Sequence, residues 1–188
     1  DLEAARRAGV TVCNVPAYST DSVAQLVFAL LLEITNRVAD YSHSVKRGDW
    51  AKCPSFSYRI APISELSGKT MGIIGFGNIG LRVATIARAF GMTVLTTSRR
   101  NLPEWAERVK LDELLSRSHV VSLNSALTPA THHIINEETL MLMRPDAILI
   151  NTSRGALVDE GALAAALERG QIAAAAVDVL EEEPPCSG

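Results

Sequence analysis

The sequence predicts an α/β fold: a doubly wound parallel sheet with helices on both faces. Three observations carry that prediction. Between residues 71 and 179, short aliphatic or β-branched runs alternate with segments of helical period, as strands buried on both faces and joined by crossover helices do. Within that region Gly75-Phe76-Gly77-Asn78-Ile79-Gly80 joins an apolar run to a helix-like continuation without a gap, the strand–turn–helix context of a Rossmann-type dinucleotide site. Finally, 188 residues with 47% hydrophobic content suffice to bury one full core.

The opening residues read as an amphipathic helix leading to Gly9, then a short strand Val10-Thr11-Val12-Cys13. Ser19-Thr20-Asp21-Ser22 offers N-cap chemistry for one long helix over 23–45, where Val23, Leu26, Val27, Leu30, Leu31, Ile34, Val38, Tyr41 and Val45 recur at helical spacing until Gly48. Residues 49–69 carry Trp50, Phe56 and Tyr58 without a period and read as a packing arm or a lid. Strands are expected at 71–75, 93–97, 120–123, 147–151 and 172–179, and helices at 78–90, 112–117, 137–143 and 160–169, the last stopped by Gly170. Both ends look like the interior of a longer chain. Residues 1–18 are expected to be a remnant of a substrate domain with its crossover, and 19–188 a dinucleotide-binding domain cut near its C-terminal end.

A net charge of −3 argues against a general electrostatic grip on nucleic acid or an anionic membrane. The longest apolar stretch, 26–32, is too short to cross a bilayer, and the chain opens with charged residues rather than a secretory signal. Cys13, Cys53 and Cys186 form neither a CxxC pair nor a disulfide framework. A reducing cytoplasm is therefore expected, with no metal site.

In a doubly wound sheet, ligands sit at the carboxyl ends of the strands. In the glycine turn, Gly75 permits the tight bend, Gly77 lets the backbone approach the phosphates, and Gly80 lets the helix pack on the strand. Ser98 lies 18 positions past Gly80, where a carboxylate would read the ribose of NAD, yet no Asp or Glu occurs between Leu81 and Pro103. Ser98, Arg99 and Arg100 suit a 2′-phosphate instead, so NADP(H) is favoured over NAD(H); the bland alternative is a solvated basic turn. Thr152, Ser153 and Arg154 follow the strand 147–151. Arg154 is placed to hold a substrate carboxylate, or else pairs at the surface with Asp159 or Glu160. Asp178 ends the last apolar strand, where it can accept a hydrogen bond from a nicotinamide carboxamide, or simply cap a loop. Of the acidic run 181–183, only a member beside the prolines looks positioned.

Gly75–Gly80, Asn151–Gly155 and the run from Asp178 to Pro184 together resemble the D-isomer-specific 2-hydroxyacid dehydrogenases, nearest to glycerate dehydrogenases and hydroxypyruvate or glyoxylate reductases. The likeness covers nearly the whole chain. It implies a substrate-binding catalytic role for Arg154. Glu183 would hydrogen-bond the catalytic histidine, Asp178 would bind nicotinamide, and Asn78 with Ile79 would contact the pyrophosphate. It further implies a small 2-ketoacid substrate and a homodimer built on 23–45 and 49–69. Two departures stand out. Asn124-Ser125-Ala126-Leu127-Thr128 replaces the family's usual His-Cys-Pro-Leu-Thr. The family's acid/base histidine belongs to a Pro-His-x-Gly segment that this sequence does not contain, so this chain alone is expected to be inactive. His43, His119, His132 and His133 lack that context. A rival from another class is a non-catalytic NAD(P)-sensing corepressor-like protein of the same fold.

Overall fold

In the computed structural model, which describes residues 1–185, six strands form one all-parallel sheet. They are β1 Thr70–Ile74, β2 Thr93–Thr96, β3 Ala106–Arg108, β4 Val120–Leu123, β5 Ile148–Asn151 and β6 Ala174–Val177, in the order β3-β2-β1-β4-β5-β6. This is the doubly wound order: the chain builds outward from β1 on one side, then returns to lay β4 on the other. The crossovers are α4 Asn78–Ala89, α5 Leu111–Arg117, α6 Glu137–Met141 and α7 Glu160–Glu168. Ahead of the sheet lie α1 Leu2–Arg7, α2 Thr20–Asn36 and α3 Val38–Lys46.

The sheet divides the interior into two cores because successive strand side chains point to opposite faces. Met71, Ile73, Val94, Val120 and Ile150 meet Val27, Phe28 and Leu31 of α2 and Val83, Ala84 and Ala87 of α4. Ile74, Leu95, Val121, Leu123 and Leu149 meet Leu114 and Leu115 of α5, Leu140 of α6 and Leu163 of α7. Each fully buried leucine or isoleucine contributes about 1.5–3 kcal/mol. The central strands, buried along almost their whole length, therefore anchor the domain.

Four sequence expectations need correction. The single helix over 23–45 is two helices, bent by 52° at Arg37, which takes φ 52° and ψ 44°. The break is held by Glu33: its backbone carbonyl accepts from the Arg37 N–H (2.8 Å), and its carboxylate accepts from the Ala39 N–H in the first turn of α3 (3.3 Å). The apolar face of α2 is used within the domain, against α4. β3 had no counterpart in the sequence reading, because three residues with two charges carry no period. The strand expected at 10–13 is irregular, exposed chain, with no strand beside it among the described residues.

The segment 49–69 is stitched down rather than loose. Ser44 Oγ donates to Asp49 (2.7 Å) and also contacts the Tyr58 hydroxyl, Tyr41 packs edge-on to Tyr58, and the Ile60 N–H donates to the Tyr41 hydroxyl (3.3 Å). That favours the packing-arm reading over the lid. Among the described residues no single helix is long and apolar enough to cross a membrane; α2 and α3 pass only as a bent pair. Cys13 and Cys53 are free thiols, and Cys186 lies outside the described residues.

At the amino edge of the sheet, His119 accepts a hydrogen bond from the Thr70 N–H at Nδ1 (3.1 Å), which requires that nitrogen unprotonated. Burial, then the nearby Arg144 and Lys69 cations, hold the imidazole below its usual range, with Asp146 opposing them. On acidification the unfolded chain therefore binds the proton first. This contribution to stability is complete above the ordinary histidine value of about 6.5 and is lost as pH falls below it. Urea unfolding at pH 7.5 and 5.5 is expected to show a loss on acidification that is smaller in His119→Gln; identical pH dependence in the two proteins would remove His119 from this role.

Candidate functional site

With all strands parallel, their carboxyl ends share one edge. The register sets Ile74, Leu123, Asn151 and Val177 in a row across β1, β4, β5 and β6, with Ile73, Thr96 and Arg108 aligned on the other side. The loops after these positions therefore converge, and the gap between β1 and β4 is the point where the winding reverses.

The three glycines there do three different jobs. Gly75 has φ 95°, and a Cβ on it would overlap the backbone of Asn124 and Ser125. The turn thus leaves β1 pressed against the loop that follows β4. A Cβ on Gly80 would overlap the Gly75 carbonyl, so only glycine lets α4 start this close to the strand. A Cβ on Gly77 would meet nothing within 4 Å. That open space lies at the N-cap of α4, where no side chain caps the helix and no acidic residue occupies the first turn. The leading N–H groups, beginning with Asn78 and Ile79, are left for an anion, which the helix dipole also favours.

Buried polar atoms without a partner mark the same edge. Asn124 Oδ1, Ser125 Oγ and Thr152 Oγ1 are three of the five such side-chain atoms among the described residues, and all three directly follow β4 or β5. Leaving a buried polar atom unpaired costs about 1–3 kcal/mol, so three together at this edge fit a polar ligand. The crevice offers amide donors at one end and amide and hydroxyl oxygens beyond it, and a dinucleotide fits that order. Asn124 and Ser125 were absent from the predicted site. Their signal was position alone, since they stand immediately after a core strand. Ser153 is structural in part: its Oγ donates to the Leu123 carbonyl (2.9 Å) and its N–H to Asn151 Oδ1 (3.0 Å), while Asn151 Nδ2 donates to the Arg154 carbonyl (2.9 Å). Buried Asn151 thereby shapes the whole turn that presents Thr152 and Arg154.

At the end of β2, Ser98 Oγ accepts from the Arg100 N–H (3.2 Å). Arg108 on β3 braces this turn, donating from Nε to the Ser98 carbonyl (2.8 Å) and from Nη2 to the Arg100 carbonyl (2.6 Å). Arg99 and Arg108 line a groove of about 570 Å³ with Thr97 and Lys110. The groove is thus bordered by three cations and one hydroxyl, with Glu113, held by Arg117, as its one carboxylate among the lining residues. Sequence reading missed Arg108, because the strand carrying it was not legible.

Across the crevice, Asp178 is exposed just past β6, with its N–H donating to the Asn151 carbonyl (2.9 Å). A Cβ on Gly155 would overlap the Leu180–Glu181 backbone, so this glycine brings the loop after β5 against the loop after β6. Arg154 and Glu183 consequently line one groove of about 400 Å³, together with Ser153 and Leu180. Arg154 is exposed and donates to the Ser153 carbonyl (2.6 Å). Neither carboxylate suggested as its surface partner is paired with it: Asp159 caps α7 through the Ala162 N–H (3.0 Å), and Glu160 accepts from the Glu181 N–H (2.7 Å). Glu183 accepts from the Leu180 N–H through Oε1 (2.8 Å). His43 lies on α3 and His119 at the opposite edge of the sheet, whereas His132 and His133 both reach Glu181.

The family model for the D-isomer specific 2-hydroxyacid dehydrogenase NAD-binding domain matches residues 28–188. Among curated relatives, a glyoxylate reductase of Thermococcus litoralis is 45% identical over 98% of this chain and 57% of its own length. A glycerate dehydrogenase of Methylorubrum extorquens is 42% identical over 100% and 59%. The chain spans somewhat more than half the length of these two relatives. Among solved structures, D-lactate dehydrogenase from Aquifex aeolicus, complexed with NAD and lactic acid, superposes with a TM-score of 0.84 at 39% identity, covering 97% of this chain and 55% of that one. An acyclic imino acid reductase in complex with NADPH and D-Arg gives 0.84 at 37%, covering 97% and 58%. The fold, the glycine turn and these relatives agree: the chain belongs to the D-isomer specific 2-hydroxyacid dehydrogenase family and carries its NAD-binding domain.

Proposed function

We propose that this chain is the coenzyme-binding part of an oxidoreductase that interconverts a small 2-ketoacid, of the glyoxylate or hydroxypyruvate class, with its D-2-hydroxyacid. The observation that carries this reading is the groove shared by Arg154 and Glu183 beside the crevice holding the unpartnered Asn124, Ser125 and Thr152 atoms. A nicotinamide dinucleotide bound there supplies the hydride. The helix α4 N-terminus would take its pyrophosphate and Asp178 its carboxamide. Arg154, whose sequence neighbours Asp159 and Glu160 are engaged elsewhere, would grip the substrate carboxylate with its planar fork and polarise the adjacent carbonyl. Glu183, with Oε1 fixed by Leu180, would present Oε2 to an acid/base histidine. Its negative charge would keep that imidazole protonated near neutral pH, ready to protonate the forming alkoxide.

In the complete enzyme, Arg154→Lys should lower kcat/KM for glyoxylate and hydroxypyruvate by about 10²-fold, because lysine keeps the charge but loses the two-point grip. Coenzyme affinity should change little. Unchanged turnover at low substrate would take Arg154 out of the reaction.

The basic turn supports a preference for NADPH over NADH. A 2′-phosphate would meet Ser98, Arg99 and Arg100, while Glu113, which lines the adjoining groove, is paired with Arg117; a well-formed charge-assisted bond contributes about 1.5–3 kcal/mol, reduced by solvent and salt. Titrating both coenzymes against the chain should show at least a tenfold preference that shrinks in Arg99→Ala/Arg100→Ala. It should shrink also in Arg108→Ala, which frees the turn without removing either neighbouring guanidinium. Equal affinities in the unmodified chain would make this a solvated turn.

Residues 1–18 are read as the crossover from a separate substrate domain, since α1 buries no residue and Leu2, Val12, Val15 and Tyr18 are exposed. The complete protein is read as a homodimer. With α2 used internally, the surface for it narrows to α3 and the arm, where Val38, Val45, Trp50, Phe56 and Ile63 are exposed. Light scattering at micromolar concentration should report a dimer, shifted toward monomer by Phe56→Ser; a monodisperse monomer would overturn the assignment.

A further inference from the structure

One cluster of ligand-type side chains has no role in the proposed reaction, although one of its members, Glu181, also lines the groove of Arg154 and Glu183. His132 and His133 lie in the loop between β4 and α6, and Glu181 lies 48 positions further on from His133, past β6. The two rings stack at 4.0 Å between centroids, with 29° between planes, and both turn Nε2 toward one carboxylate. His133 Nε2 stands 3.1 Å from Glu181 Oε2, and His132 Nε2 stands 3.6 Å from Oε1. All three ligand atoms lie within 4.8 Å of one another.

We infer that His132, His133 and Glu181 form a binding site for a divalent first-row transition-metal ion, zinc-like in its preferences, which clips the loop after β4 to the loop after β6. The donor set is two imidazoles and a carboxylate, which suits such ions rather than calcium or magnesium. Ligands about 2.0–2.1 Å from a tetrahedral ion stand roughly 3.3 Å apart. The two nitrogen-to-oxygen separations already bracket that spacing; the half-exposed His132 ring must swing out of its stack on His133 to bring its in-plane lone pair onto the same ion. The fourth position opens to solvent and would hold water.

The backbone that carries the ligands is prepared. His133 is held at φ 47° by its N–H to the Ala156 carbonyl (2.9 Å) and by Asn136 Nδ2 to its own carbonyl (3.0 Å). Thr131 Oγ1 knots the preceding turn, accepting from the Thr128 N–H (2.8 Å) and donating to the Ala126 carbonyl (2.8 Å). The Glu181 N–H is tied to Glu160 (2.7 Å). Sequence reading expected no metal, because adjacent histidines have no ligand spacing of their own and the third donor comes from a distant loop.

The probe is Co²⁺ titrated into the chain at neutral pH and followed by visible absorption, then displaced by Zn²⁺. The expected result is one Co²⁺ per chain with ligand-field bands and no thiolate charge-transfer band, persisting in Cys13→Ser/Cys53→Ser/Cys186→Ser. His132→Ala and Glu181→Gln should each weaken binding by at least about tenfold. Both positions are solvent-accessible, so folding is not at stake, and circular dichroism verifies it. Absence of the bands, their persistence in both variants, or their loss in the cysteine-free chain would each overturn the site, leaving a plain imidazole–carboxylate pair.

Discussion

Everything at the working edge of this domain depends on backbone approaching backbone where no side chain could fit. Gly75 lets the first turn lie against Asn124 and Ser125, Gly80 lets α4 begin over the Gly75 carbonyl, and Gly155 lets the loop after β5 touch Leu180. These contacts are made by main chain, so they are insensitive to rotamer changes nearby. They place the amide donors of α4, the oxygens after β4 and β5, and the Arg154–Glu183 groove along the same edge of the sheet. The parallel sheet supplies the alignment, because its register brings the carboxyl ends of all six strands to a single edge.

The two cores carry different burdens. The face packed by α2 and α4 supports the glycine turn directly, since Ile79 packs on the same cluster as Ile73 and Val83. The face packed by α5, α6 and α7 supports the loops that bear Arg154 and the histidines, through Ile135, Leu157 and Val158. Asn151 is the polar exception in a strand otherwise apolar, and its burial is explained by three main-chain contacts: its side chain shapes the 152–154 turn, and its carbonyl receives the Asp178 N–H.

What could be read from the residues followed from how much local signal each element carries. The strands β1, β2, β4 and β5 and the crossover helices were legible because burial on both faces forces continuous apolar runs. The glycine turn was legible because its conformational demands admit one residue type. β3 was not, since an edge strand of three residues is defined by its partner rather than by its own composition. The break at Arg37 was not either: the apolar period runs straight through it, and what stops the helix is Glu33 turning back to cap the next one. Among the proposed site residues, Arg154 was singled out by its place just after a core strand, and Glu183 by motif resemblance. Arg108, Asn124 and Ser125 needed the tertiary structure, because each acquires meaning only from a neighbour remote in sequence.

The bracing of the 98–100 turn from β3 has a consequence for how this molecule could change over time. Ser98, Arg99, Arg100 and Arg108 all lie at the rim of the sheet, beyond either hydrophobic core. Replacing them alters charge and hydrogen bonding without opening a cavity, so the stability penalty that accompanies most interior changes is absent. The chemistry of this rim can thus change separately from foldability: a lineage could alter its charge in a few steps, each passing through a folded intermediate.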